Sequence, residues 1–232
     1  MAVDEALLER AAAGCGWCWR FYRWVEPTLS LGRFQRYEDR RRHPASLSCP
    51  AVRRASGGGA IVHDAEITYS LVVPADHPLA VRRTALYELV HAALIDVLRS
   101  GGIAAEVCRE GSSVRDFGQP FLCFQRRTPG DVLVGTAKVA GSAQRRKRGA
   151  VLQHGSLLLG RSPAAPELAG LSELSALPTS EERLIHGWLD RLSECLGASW
   201  QIEPLTVPER DLAARLAETK YASAWWNLGR KR

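Results

Sequence analysis

Apolar positions recur along the first half of the chain with two periods, and the period separates helices from strands. Leu7, Leu8 and Ala11 fall on one face of an amphipathic helix over 4–13, with charges opposite, and Gly14 ends it. Trp17, Trp19, Phe21, Tyr22 and Trp24 then make a strand-like run, Glu26-Pro27 turns the chain, and 28–34 returns as another short strand. The polar, basic stretch 35–43 reads as a surface helix or loop. Ala60-Ile61-Val62 predicts the start of a buried strand, and Ile67 to Val73, β-branched and aromatic, predicts a second one stopped by Pro74.

Pro78 opens a predicted helix to about Arg99, with Leu86, Leu89, Val90, Ala93, Leu94, Val97 and Leu98 as its stripe and Gly101-Gly102 as its stop. Further strands are expected at 103–108, 121–124, 132–134 and 151–159, with a loop over 111–118 and an irregular connection over 162–177. Thr179 and Glu182 have capping-box spacing for a helix to about Leu196 that buries Ile185, Trp188, Leu189 and Leu192, and a final helix follows Pro208. Strand pairs in sequence with helices grouped between them imply an α+β fold, with mixed, largely antiparallel sheets flanked by helices. No repeat or composition shift divides the chain, so one domain over 1–232 is expected.

The net charge of +6 changes the picture only slightly. Basic clusters at 40–42, 145–148 and 229–232 would suit a polyanion, but none is interleaved with aromatics as a base-stacking platform would be. Nucleic acid is therefore not expected, and acidic proteins fit the charge equally well. No apolar run approaches the ~20 residues that span a bilayer, and Asp4 and Glu5 stand where a signal peptide would be basic. A cytoplasmic protein without membrane contact is the expectation. The six cysteines then read as reduced thiols. Cys15-Gly16-Trp17-Cys18 has no second pair to complete four ligands, so no metal site is assigned to it.

The chemistry gathers at Arg53-Arg54-Ala55-Ser56-Gly57-Gly58-Gly59-Ala60-Ile61-Val62-His63-Asp64. Three glycines clear side chains from the backbone and permit positive φ, so amides can converge on a phosphate or carboxylate beside two guanidiniums. This segment resembles the signature of the lipoate–protein ligase and octanoyltransferase family, whose catalytic fold is shared with biotin–protein ligases. Lys138-Val139-Ala140-Gly141-Ser142-Ala143-Gln144-Arg145-Arg146, followed by Gly149 to Ser156 with Gln153-His154-Gly155, resembles the family's other hallmark. The similarity extends to Asp4–Leu8, Ser30–Gln35 and Lys220–Ser223, and so covers nearly the whole chain.

The resemblance implies that Arg54, His63, Lys138 and His154 face the acyl group and its activating moiety over a floor of Gly57, Gly58 and Gly59. Ser56, Gly141, Ser142 and Gly155 belong to the same acyl site. Cys123, in a Cys-Phe pair ahead of Lys138, is similar to the branch that transfers octanoyl groups through a cysteine thioester. So is His63-Asp64-Ala65-Glu66-Ile67-Thr68-Tyr69-Ser70, where the ligase branch tends to show glycine and asparagine. No C-terminal accessory domain of the kind many lipoate ligases carry is expected, which is on the side of the transferase branch.

The expectation is thus an acyltransferase that carries octanoyl from an acyl carrier protein to a lysine of a lipoyl domain. Cys123 would attack as the thiolate, Lys138 would stabilise the oxyanion, and no cofactor would be needed. The alternative, an ATP-dependent lipoate–protein ligase, would use Mg²⁺ and leave Cys123 dispensable. A third reading is a non-catalytic binder of lipoate or lipoyl domains. Arg145–Arg148 either steers an acidic partner or is a solvated hairpin tip.

Overall fold

The computed structural model describes residues 1–82, 84–111, 120–176 and 180–229. Its elements run α1 (Ala2–Ala11), β1 (Cys18–Tyr22), β2 (Thr28–Leu31), β3 (Ala51–Arg53), β4 (Ile61–His63), β5 (Glu66–Val73), α2 (Pro78–Val81), α3 (Ala85–Ser100), β6 (Ala105–Val107), β7 (Val132–Val134), β8 (Ala137–Lys147), β9 (Ala150–Leu158), α4 (Leu171–Leu174), α5 (Glu181–Leu196), α6 (Val207–Leu216) and α7 (Ala224–Asn227). Six strands form one antiparallel sheet in the order β1-β5-β9-β8-β7-β6. A smaller sheet, β3-β2-β4, pairs β2 antiparallel to β4 and parallel to β3. The α+β expectation, with largely antiparallel sheet, holds.

Period-two alternation explains how the large sheet is covered. Ile67, Tyr69, Leu71 and Val73 of β5 face Leu86, Val90, Leu94 and Leu98 of α3 and Leu184, Trp188 and Leu192 of α5. Val72, on the other face, packs with Leu7, Leu8 and Ala11 of α1 and with Ala150 and Leu152 of β9. Every residue of β5 is consequently buried. Trp188 centres the helical layer, its indole N–H donating to the Val90 carbonyl at 3.0 Å and its ring edge-on to Tyr69 and Trp19. The small sheet has its own apolar layer, in which Leu29, Leu31, Ala60 and Val62 meet Phe121, Leu122, Ala164 and Ala165.

Several expectations are corrected. The helix predicted from Pro78 to Arg99 is two helices, because Arg82 is extended (φ −85°, ψ 124°) between α2 and α3. The strand predicted over 28–34 stops at Leu31, and Phe34 stands in solvent. The strand predicted over 103–108 is confined to Ala105–Val107. The strand predicted over 121–124 is a single bridge between Ala60 and Leu122 followed by a 3₁₀ turn, Cys123–Gln125. Once the Cys123 amide has bonded to the Ala60 carbonyl at 2.7 Å, the Arg126 amide closes back on the Cys123 carbonyl. Residues 112–118 of the predicted loop and Thr179 of the predicted capping box lie outside the described residues; the described cap of α5 is Ser180.

Polar residues tie the two ends of the described chain to the sheets. Asp4 and Glu5 are not on a solvated face of α1 but buried. Arg20 and Tyr22 donate to the Asp4 carboxylate, and Lys220 and Tyr221 to that of Glu5, the latter pair at 2.6 Å. Burial works against the Asp4 carboxylate, but the N-terminal ammonium and Arg20 outweigh it and hold its pKa below the ordinary value. Arg53 forms a clasp: its guanidinium donates to the carbonyls of Trp226 and Asn227 on one side and to those of Gly32, Arg33 and Gln35 on the other. The Trp226 indole returns a bond to the Arg53 carbonyl at 2.8 Å. In the basic run near the β8–β9 turn, Arg145 donates to the Ala55 carbonyl, Arg146 to that of Ala80, and Lys147 pairs with Glu9. Of these four residues only Arg148, at positive φ in the turn, resembles a free hairpin tip.

Candidate active site

The site lies where the small sheet abuts the centre of the large one, around a cavity of about 110 Å³. From the small sheet come Arg54, Gly57, Gly58 and His63; from the large sheet, Lys138, Gly141 and Ser142 of β8 and His154, Gly155 and Ser156 of β9; and from the connection between β6 and β7, Cys123. Register explains the second group, because Gly141 pairs with Ser156 and Ser142 with Gly155. The sequence-predicted residues are therefore brought together from distant segments; Ser56 and Gly59 lie behind the wall and touch it, Ser56 through His154 and Gly59 through Arg54.

The glycines are required sterically. A Cβ on Gly32 would lie 2.0 Å from the Gly58 carbonyl oxygen, and one on Gly59 would touch the Cys123 backbone at 3.0 Å. Gly58 itself has φ +94°. On the opposite wall, a Cβ on Gly141 would strike the Lys138 side chain at 2.5 Å. The loop and β8 are thus built to let a guanidinium and an ammonium lie close under the cavity.

Arg54 is almost fully buried, and its guanidinium is directed inward at neutral oxygens. Nη1 donates to the Ser30 carbonyl and hydroxyl, each at 3.0 Å, and Nη2 to the carbonyls of Gly57 and Gly59 at 2.9 and 2.5 Å. Nε has no partner. Burial pushes the Arg54 pKa down to about 10, and the Cys123 thiolate opposes that shift. A cation held without a carboxylate partner at this depth favours an anion in the cavity.

Lys138, the second residue of β8, is buried and ion-paired with Asp131, Nζ to Oδ2 at 2.8 Å. The same carboxylate oxygen accepts from the Thr128 amide and hydroxyl at 2.7 and 2.9 Å. Nζ also lies 3.9 Å from Cys123 Sγ and 5.3 Å from the centre of the Phe124 ring. Asp131 escaped the sequence reading. Its only signal is the turn Thr128-Pro129-Gly130-Asp131 ahead of an apolar strand.

His91 also escaped it, although a histidine in the apolar stripe of α3, on the face of Leu94 and Leu98, is a polar interruption that asks for partners. The ring is buried, donates from Nδ1 to the Gly130 carbonyl, and accepts at Nε2 from the Ser142 hydroxyl at 3.0 Å, with the Tyr69 hydroxyl 3.2 Å from the same nitrogen. Burial lowers its pKa, so the neutral tautomer pins the Asp131 turn to β8.

His154 is bonded through Nε2 to the Ser56 hydroxyl, joining β9 to the glycine loop. Burial, aided by Arg54 and opposed by Asp4, pushes its pKa down to about 4. The unfolded chain binds this proton near pH 6.5 and the folded protein near 4. Stability from the neutral ring is therefore complete above pH 6.5 and lost as the pH falls toward 4, on the order of 3 kcal/mol. Urea melts across that window should show a steeper loss for the wild type than for His154→Gln; parallel losses would refute the assignment.

Residues 1–169 match the family model for the lipoyl protein ligase A/B catalytic domain. The chain is 34% identical to octanoyltransferase LipM of Kyrpidia tusciae over 98% of its own length and 93% of that protein's, and 32% identical to octanoyltransferase LipM of Brevibacillus brevis over 99% and 94%. Among solved structures, the bi-partite lipoate protein ligase of Thermoplasma acidophilum, described with its E2 lipoyl domain, superposes with a TM-score of 0.76 at 22% identity, covering 100% of this chain and 92% of that one. At that identity the likeness shows the fold.

Proposed function

We propose that this chain, which belongs to the lipoyl protein ligase A/B catalytic-domain family, is an octanoyltransferase of protein lipoylation acting through a thioester on Cys123. The observation that carries the reading is the placement of Cys123 Sγ 3.9 Å from the Lys138 ammonium, on the wall of the same cavity as the Arg54 guanidinium, which has no carboxylate partner. A thiolate is the nucleophilic form of a cysteine.

In the first half-reaction the thiolate attacks the thioester carbonyl of an octanoyl-acyl carrier protein. The Sγ–C bond forms, negative charge grows on the carbonyl oxygen, and the Lys138 ammonium and loop amides stabilise it. The carrier's C–S bond then breaks, and the carrier thiolate takes up the proton given by Cys123. In the second, a lipoyl-domain lysine attacks the acyl-enzyme and an amide replaces the thioester. Neither half-reaction consumes a nucleotide, and the kinetics are ping-pong.

Intact mass of the protein after mixing with octanoyl-carrier protein, without ATP, tests the proposal. The expected result is a gain of one octanoyl group that hydroxylamine removes, and an octanoylated lysine once a lipoyl domain is added. No adduct, with acceptor modification only when ATP, Mg²⁺ and free acid are supplied, would make the chain a lipoate–protein ligase. No turnover of any donor would make it a binder.

A further inference from the structure

The basic clusters of the chain are used differently. Arg145, Arg146 and Lys147 bond to oxygens of the protein itself, whereas the segment 33–41 displays its charge. It forms one wall of a broad groove of about 1870 Å³, and α7 with the two residues after it forms the other. Among the described residues lining the groove, five arginines meet one carboxylate, Glu38. That carboxylate only approaches Arg36, at 3.9 Å, and both side chains are exposed. Arg40 and Arg53 donate to neutral oxygens and keep their charge uncompensated.

Apolar surface is interleaved with this charge. Phe34 is 83% exposed and Trp225 56%, and Leu47 and Leu228 stand in solvent beside them. Large apolar side chains left in water and ringed by guanidiniums are the makings of an interface. The partner is therefore anionic. Nucleic acid fits poorly, because the ring faces on which bases would stack are taken by cations: Arg33 lies 5.4 Å from the centre of Trp226 and 5.9 Å from that of Phe34, Lys220 lies 4.1 Å from Trp226, and Arg40 lies 5.3 Å from Tyr37. An acidic protein that presents apolar side chains between carboxylates satisfies both features.

The position of the groove selects among acidic proteins. It shares no lining residue with the catalytic cavity, and the glycine loop stands between them. Arg53 lines the groove and Arg54 the cavity; the Arg33 amide donates to the Ser56 carbonyl at 2.8 Å, and the Phe34 ring lies 3.8 Å from where a Cβ on Gly57 would be. A protein seated in the groove reaches Cys123 only through a long extension. An acceptor lysine has a four-carbon stem and must bring its own domain to the cavity. An acyl carrier delivers its thioester on a long phosphopantetheine arm, whose phosphodiester is one more anion for an arginine.

We propose that the groove between residues 33–41 and α7 docks the acidic carrier protein that brings the acyl thioester; the inference rests on the acyl-enzyme reading above. The double variant Arg36→Glu/Arg41→Glu and, separately, Trp225→Ala test it. Thioester formation from octanoyl-carrier protein should fall in kcat/KM roughly 30-fold for the charge-reversed protein and about 10-fold for Trp225→Ala. Added salt should slow the wild type far more than the charge-reversed protein. Octanoyl-pantetheine, the same thioester without the carrier, should acylate all three proteins within about 2-fold of one another, and transfer from the Cys123 thioester to a lipoyl domain should be equally unaffected.

An undiminished rate with the carrier would overturn the proposal. So would an equal fall with octanoyl-pantetheine, which would mean that the site itself had been disturbed. Slowed transfer to the lipoyl domain with unaltered acylation would overturn it by giving the groove to the acceptor, and tighter binding of a single-stranded oligonucleotide than of the carrier would give it to nucleic acid. Should Trp225→Ala fail to fold, the charge-reversed protein carries the test, because Arg36 and Arg41 are exposed. Absence of a thioester in the wild type with either donor overturns the acyl-enzyme reading instead. Fluorescence polarisation of labelled octanoyl-carrier protein then decides the groove separately: binding weakened by charge reversal supports it, and unchanged binding overturns it.

Discussion

Cys123→Ser is expected to fold as the wild type does and to lose octanoyl transfer by roughly 10⁴-fold or more. The fold should survive because the side chain is only partly buried and its polar contact to Lys138 is a long one, 3.9 Å. The chemistry should not survive, because a hydroxyl is a far weaker nucleophile than a thiolate and, among the described residues, no base touches this position to activate it. The measurement is acceptor octanoylation under single-turnover conditions, beside a thermal melt. Undiminished modification driven by ATP and free lipoate would show that the sulfur takes no part.

The second large effect is expected at Lys138, and there stability and chemistry can be separated. Lys138→Met removes the ammonium nearest the developing oxyanion and should slow thioester formation roughly 10²- to 10³-fold. It also leaves the Asp131 carboxylate buried without its counter-ion, a change that typically destabilises by about 3–5 kcal/mol. Adding Asp131→Asn removes the stranded charge while preserving an acceptor for the Thr128 amide. The double variant should therefore recover most of the lost stability in denaturant melts and none of the acylation rate. Recovery of both would mean that Lys138 acts only as a structural ion-pair partner.

What the sequence disclosed of this site followed from how local the determinants are. The glycine loop was legible because the absence of side chains at Gly58 and Gly59 is itself the structural requirement. Lys138 and His154 were legible only through the motif around them, since either residue alone would read as surface or core. Cys123 was singled out but put in a strand, because the hydrogen bonds that bend 123–125 into a 3₁₀ turn depend on Ala60, distant in sequence. β8 was not foreseen as a strand over 137–147, since its small and basic residues lack alternation and its conformation is set by pairing with β9. Asp131 and His91 were missed for a related reason. Their meaning lies in whom they meet, and a turn aspartate or a helical histidine does not announce Lys138 or Ser142. Asp4 and Glu5 misled in the opposite direction, because Arg20, Tyr22, Lys220 and Tyr221, which make their burial tolerable, are invisible to a local window.

The Arg53 clasp couples the site to the order of synthesis. The strands of both sheets and the residues lining the cavity are in the first 158 residues, so a growing chain can pair them before its last segment emerges. The backbone of Gly32 to Gln35, against which the glycine loop is packed, is held through Arg53 by Trp226 and Asn227, and Glu5 waits for Lys220 and Tyr221. The Trp226 and Asn227 contacts come last in that order, so their loss is expected to loosen the Gly32–Gln35 backbone and, through it, the glycine loop, although neither residue lines the cavity.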